Sequence, residues 1–86
     1  MIQISVTKKF ERQYQKLSRY AREKACLKER IFRENPFDLR LETHKLHGKE
    51  KDACAFSIDY SHRIKFIFLA REHVLFLEIG GHDIYR

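Results

Sequence analysis

Chain breakers and cysteine are scarce in these 86 residues, which hold three glycines, one proline and two cysteines. So few Gly and Pro argue against a linker-rich chain, and no internal repeat or low-complexity segment is visible. Cys26 and Cys54 do not suggest a disulfide framework, and their spacing is not that of a zinc site. They read as ordinary buried thiols in a reducing compartment. No apolar run approaches the roughly 20 residues of a membrane span. The opening Met-Ile-Gln-Ile-Ser-Val is too short and too polar for a signal peptide. A cytoplasmic protein with no membrane partner is the expectation.

What the chain does hold is aromatic and basic. Hydrophobic residues make up 43% and aromatics 13%, with seven Phe and four Tyr to fill a core. That excludes disorder and fits one domain over residues 1–86. The formal charge is +6 and the isoelectric point about 9.6. Such a balance favours polyanions: RNA, DNA, acidic proteins or anionic membranes. A basic surface with no dedicated partner has the same composition.

Ile2, Ile4 and Val6 alternate with Gln3 and Ser5, a first strand with one buried face. Thr7 then caps a helix whose apolar stripe is Phe10, Tyr14 and Leu17. Ser18 is the next cap, and a second helix runs over residues 19–34. Leu27 and Ile31 mark its buried side, helped by Tyr20, Ala21 and Phe32. Asn35-Pro36 stops it, because proline disfavours helical geometry in the residue before it. Residues 36–48 form a connector with a short extended piece near Lys45 and Leu46, and residues 48–52 a polar turn. The pattern then switches to period two. Phe56 and Ile58 face one way; Ile64, Phe66 and Phe68 follow in the next strand, with Arg63, Lys65 and Ile67 pointing outward. Residues 74–79 are apolar almost throughout, as in a strand covered on both sides.

Strand, helix, helix and then antiparallel strands make an α+β fold: an N-terminal strand and a helical hairpin on one face of a small antiparallel sheet. The other face carries Ser57, Arg63 and Lys65, and is the natural binding face.

Four pieces carry a resemblance. They are Asn-Pro-Phe-Asp at 35–38, His-Lys-Leu-His-Gly at 44–48, Ile-Asp-Tyr-Ser-His-Arg-Ile at 58–64 and Ile-Gly-Gly-His-Asp-Ile-Tyr at 79–85. In order and spacing the chain resembles the RelE/ParE superfamily of toxin–antitoxin systems, and within it the YafQ-like mRNA interferases. The resemblance implies a RelE-like, microbial-RNase-like fold and a cognate antitoxin as partner. It also implies an endoribonuclease that cleaves mRNA, commonly on the ribosome, with no cofactor and no metal.

RNA is cut without metal when its own 2′-hydroxyl attacks the adjacent phosphorus. The site must take one proton, neutralise the crowded phosphorane and return a proton to the leaving oxygen. On residues alone His44 reads as a surface histidine, and His82 as a cap bonded to Asp83 or to backbone. The resemblance makes both proton carriers, since imidazole titrates near neutral pH. It makes Arg63 the phosphate clamp, a permanently charged group with paired donors. Tyr85 matches a C-terminal aromatic that stacks on a base or bonds a phosphate. Lys45, Lys65 and Arg86 are backbone-contacting charges. Two departures stand out: Cys54 where relatives carry tryptophan, and Ser57 where active relatives often carry arginine or histidine. Two other classes remain open: a ParE-like gyrase inhibitor without nuclease activity, and a catalytically weak member that binds RNA or antitoxin.

Overall fold

Thr7 and Ser18 set the two helices. In this computed structural model, which describes residues 1–48, 52–81 and 84, the Thr7 hydroxyl accepts from Phe10 N at 3.0 Å. Ser18 Oγ accepts from Ala21 N at 3.1 Å. Each satisfies one donor that a helix start leaves orphaned. The elements are β1 (Gln3–Val6), α1 (Lys8–Gln15), α2 (Arg19–Glu34), a 3-10 turn (Leu39–Leu41), β2 (His44–Lys45), β3 (Cys54–Ser57), β4 (Arg63–Ala70) and β5 (His73–Gly80). Arg22 Nη1 donates to the carbonyls of Gln15 and Leu17 at 3.3 and 2.9 Å, tying off the joint between the helices.

The strands form one sheet in the order β1-β5-β4-β3-β2. Strands β2 to β5 pair antiparallel, as the alternation predicts. β1 joins β5 in parallel, with Gln3 opposite His73 and Val6 opposite Phe76. Beyond Val6 the free edge of β5 is taken over by the start of α1. Thr7 N donates to Phe76 O at 3.1 Å, the Thr7 hydroxyl donates to Leu77 O at 2.8 Å, and Ile79 N donates to Gln13 Oε1 at 2.9 Å. Lys65 lies opposite Glu78 but Phe66 lies opposite Phe76, so Leu77 is the extra residue of a bulge. Thr7 thus satisfies the carbonyl of the bulged Leu77 and that of Phe76 just before it.

The core centres on Phe32, which is fully buried. Its ring meets Phe56 at 4.7 Å, Phe66 at 5.0 Å and Phe76 at 5.4 Å between centroids. That ring sets which side of α2 turns inward. Ala21 and Ala25 are buried with it, whereas Tyr20 and Leu27 are exposed, contrary to the expected stripe. Ile31 packs against the core only in part. Phe68, expected inside, is exposed at the end of β4 and stacks on Phe37 at 6.2 Å. Val6, also expected inside, is exposed where the sheet edge gives way to α1. In β5, Val74, Phe76 and Ile79 are buried while Leu75 and Leu77 are half-buried, so its second face is only partly covered. Cys54 is buried as expected, but Cys26 is exposed and lies 3.4 Å from the Tyr14 hydroxyl.

Candidate nucleic-acid interface

Strand register decides which side chains share the face away from the helices. His44 is opposite Ala55, Ala55 opposite Lys65 and Lys65 opposite Glu78, one row across four strands. The next row on the same face is Ser57, Arg63 and Gly80. The residues between, Phe56, Ile64 and Ile79, are buried in the core, so both rows project the other way. His44 and Arg63 are offset by two strands and two residues. At the usual spacings their Cα atoms are about 12 Å apart.

His44 is exposed on the short edge strand β2. Its Nδ1 lies 3.1 Å from the carbonyl oxygen of Glu42. A carbonyl only accepts, so Nδ1 carries the proton and the lone pair of the neutral ring is on Nε2. Glu42 ends the 3-10 turn in the left-handed region, at φ 53° and ψ 39°. Its carboxylate accepts from the Ser57 hydroxyl at 3.1 Å.

Arg63 opens β4 after a tight turn. Asp59 Oδ1 accepts from Ser61 N and His62 N, both at 2.8 Å, and lies 3.0 Å from His62 Nδ1. Burial pushes the Asp59 carboxyl up, but the His62 side chain and the two backbone N–H groups outweigh it and hold the group low. Arg63 Nη1 donates to the carbonyls of Asp59 at 2.8 Å and His62 at 3.0 Å. Those bonds fix the guanidinium at the junction of two recesses. One, of about 430 Å³, is also lined by Lys28, Glu42, Ser57 and Asp59. The other, of about 240 Å³, is lined with Tyr60, Ser61 and Gly81.

Lys65 departs from expectation. It shares the face with Arg63 but is 2% exposed, with Nζ 2.6 Å from Glu78 Oε2. Lys9 from α1 reaches the other carboxylate oxygen of Glu78 at 3.0 Å. Burial raises the Glu78 carboxyl, and the hydrogen bonds and charges of Lys65 and Lys9 more than reverse that, so it stays ionised. The outward cation predicted from alternation is therefore a buried ion pair. Its partner sits on the neighbouring strand, where alternation within β4 carries no sign of it. Lys45 is exposed but lies opposite Cys54, on the other face from His44.

His82, Tyr85 and Arg86 lie outside the described residues. The chain does reach position 81 beside Arg63, since Gly80 is its strand partner and Gly81 lines the same recess. Ile84, which sequence patterning did not mark as core, is buried, and its N–H donates to Gly81 O at 3.2 Å. Glu42 and Glu78 were also missed. Glu42 lies in a polar run, where a carboxylate looks like part of a solvated surface, and Glu78 is a single charge in an apolar strand whose cationic partner sits on another strand.

No family model matches the chain, and no curated protein matches it. Solved structures do. A YoeB/ParE toxin from Agrobacterium tumefaciens superposes with a TM-score of 0.80 at 16% identity, covering 94% of this chain and 99% of that one. YafQ from Escherichia coli strain BL21(DE3) gives 0.77 at 12% identity, over 98% and 97% of the two chains. An archaeal RelE–RelB complex from Pyrococcus horikoshii OT3 gives 0.74 at 13% identity, over 93% of each. At these identities what is shared is the fold: an N-terminal strand, two helices and a five-stranded sheet, as in these RelE-like toxin structures.

Proposed function

We propose that a chain with the RelE-like toxin fold and this polar face is itself the toxin of a toxin–antitoxin pair. In this reading it is a metal-independent endoribonuclease that cuts mRNA, in association with the ribosome. The observation that carries the reading is the shared face of His44 and Arg63, with the backbone arriving at Gly81 beside Arg63.

His44, held through Nδ1 by the Glu42 carbonyl, accepts the 2′-hydroxyl proton at Nε2. The 2′-oxygen bonds to phosphorus and the bond to the 5′-oxygen breaks. His82 supplies the proton to that leaving oxygen. The products are a 2′,3′-cyclic phosphate and a 5′-hydroxyl. Arg63 neutralises the extra charge on the phosphorane. Tyr85 stacks on a base and Arg86 contacts backbone at the rim, while Lys45, on the opposite face from His44, takes no part. Lys65, neutralised by Glu78, supports the face from beneath and does not itself contact RNA. The partner is a cognate antitoxin, as RelB is for RelE in the archaeal complex, and the +6 charge suits an acidic one.

Induced expression with transcriptome-wide mapping of RNA 5′ ends tests this. New 5′-hydroxyl ends within coding sequences, matched by 2′,3′-cyclic phosphate on the upstream fragment, are expected. Growth arrest with intact mRNA and inhibited gyrase supercoiling would overturn the nuclease and leave the gyrase-directed class.

A further inference from the structure

Among the described residues, Glu42 is the one non-glycine residue with positive φ. For an L-residue other than Asn or Asp that conformation is uncommon and persists only where the surroundings impose it. Here the surroundings are the candidate site. The Glu42 N–H closes the 3-10 turn on Leu39 O at 3.2 Å. Its carbonyl meets His44 Nδ1 at 3.1 Å, and its carboxylate accepts from the buried Ser57 hydroxyl at 3.1 Å. The residue also lines the larger recess beneath Arg63. One residue thus joins β2, β3 and the mouth of the recess.

We propose that Glu42 is a positioning residue for His44. Anchoring of its carboxylate on Ser57 locks the left-handed turn, and the turn aims the Glu42 carbonyl at Nδ1. The ring is thereby held in the tautomer that presents Nε2 as the proton acceptor. Ser57 then has a purpose in this chain although it replaces a group that active relatives carry: it is the anchor for the residue that orients the base. The proposal rests on the nuclease reading for its consequence, but not for its geometry.

The test reads the ring itself. Nitrogen-15 shifts of His44 are recorded by NMR above about pH 8, where imidazole is neutral. The parent protein is expected to show a protonated Nδ1 and an unprotonated Nε2. Glu42→Ala removes the anchor and leaves an L-residue in a strained turn, so the pattern shifts toward the Nε2–H tautomer. Ser57→Ala removes the other end of the same bond and moves the shifts in the same direction, which keeps the test alive if Glu42→Ala fails to fold. Glu42→Gln retains an oxygen acceptor for Ser57 and keeps the parent pattern. RNA cleavage in Glu42→Ala and Ser57→Ala falls at least about tenfold, a share of what a well-placed general base supplies. Unchanged His44 shifts in both alanine variants would overturn the proposal. Altered shifts in a parent protein that cuts no RNA would instead overturn the nuclease reading and leave the positioning role intact.

Discussion

Lys65 and Glu78 face each other across β4 and β5, with Nζ 2.6 Å from Oε2 and the lysine side chain 3% exposed. A cation so placed depends on its counter-charge. Glu78→Gln removes the carboxylate charge opposite the ammonium and should cost about 2 kcal/mol, discounted from the usual 3–5 because the carboxylate is partly solvated. The double variant Lys65→Met/Glu78→Leu should lose less than either single change. Urea unfolding of the three variants checks this, and equal additive losses would show that the pair is not coupled.

Growth arrest is the readout for the site. Arg63→Ala and His82→Ala should each abolish it, while circular dichroism shows the fold unchanged. His44→Ala should lower cleavage by about 10²-fold or more. Full toxicity in both Arg63→Ala and His82→Ala would remove those two residues from the reaction.

Phe32 is the test of the core. It is fully buried and touches the rings of Phe56, Phe66 and Phe76. Phe32→Ala should cost about 3–5 kcal/mol. Against a total of roughly 5–10 kcal/mol for a domain this size, that leaves little margin. A fall in the urea midpoint of less than a tenth would mean that the aromatic cluster is not the centre of stability.

Asp38 responds to acid. Its Oδ1 accepts from Arg40 N at 2.9 Å, and its carboxylate meets the Arg40 guanidinium at 2.9 Å. The Arg40 side chain first, then its backbone N–H, hold the carboxyl down at about 2. A depressed carboxyl helps the folded state above its ordinary value, and that help is lost as pH falls toward 2. NMR titration should find the Asp38 midpoint near 2 in the parent and nearer the ordinary value of about 4 in Arg40→Ala. A midpoint that does not move would show that Arg40 is not the cause.

The helices were legible because their signals are local. Thr7 and Ser18 cap where hydroxyl residues precede helical spacing, and Asn35-Pro36 stops α2 where the chain can no longer turn. The shared face of His44 and Arg63 was half legible: period two assigns Arg63 its side, but only register brings β2 alongside. Exposure of Leu27 was not legible, since Phe32 and two alanines choose the inward side of α2 by packing against strands far along the chain. The fate of Lys65 depended on a bulge at Leu77 and a carboxylate on another strand. Glu42 gave no sign, because a glutamate with positive φ looks in sequence like any other.

The parallel pairing of β1 with β5 has a kinetic consequence. Ser5 Oγ and His73 Nε2 meet at 2.8 Å although 68 positions separate them. No such contact forms before a loop of most of the chain has closed, and that entropy must be lost before the contact returns anything. Folding should therefore run in the slow, millisecond-to-second range of non-local topologies. The β4–β5 ribbon, joined by a short turn, should form early and the N-terminal strand should dock late, which mutational analysis of folding rates would check.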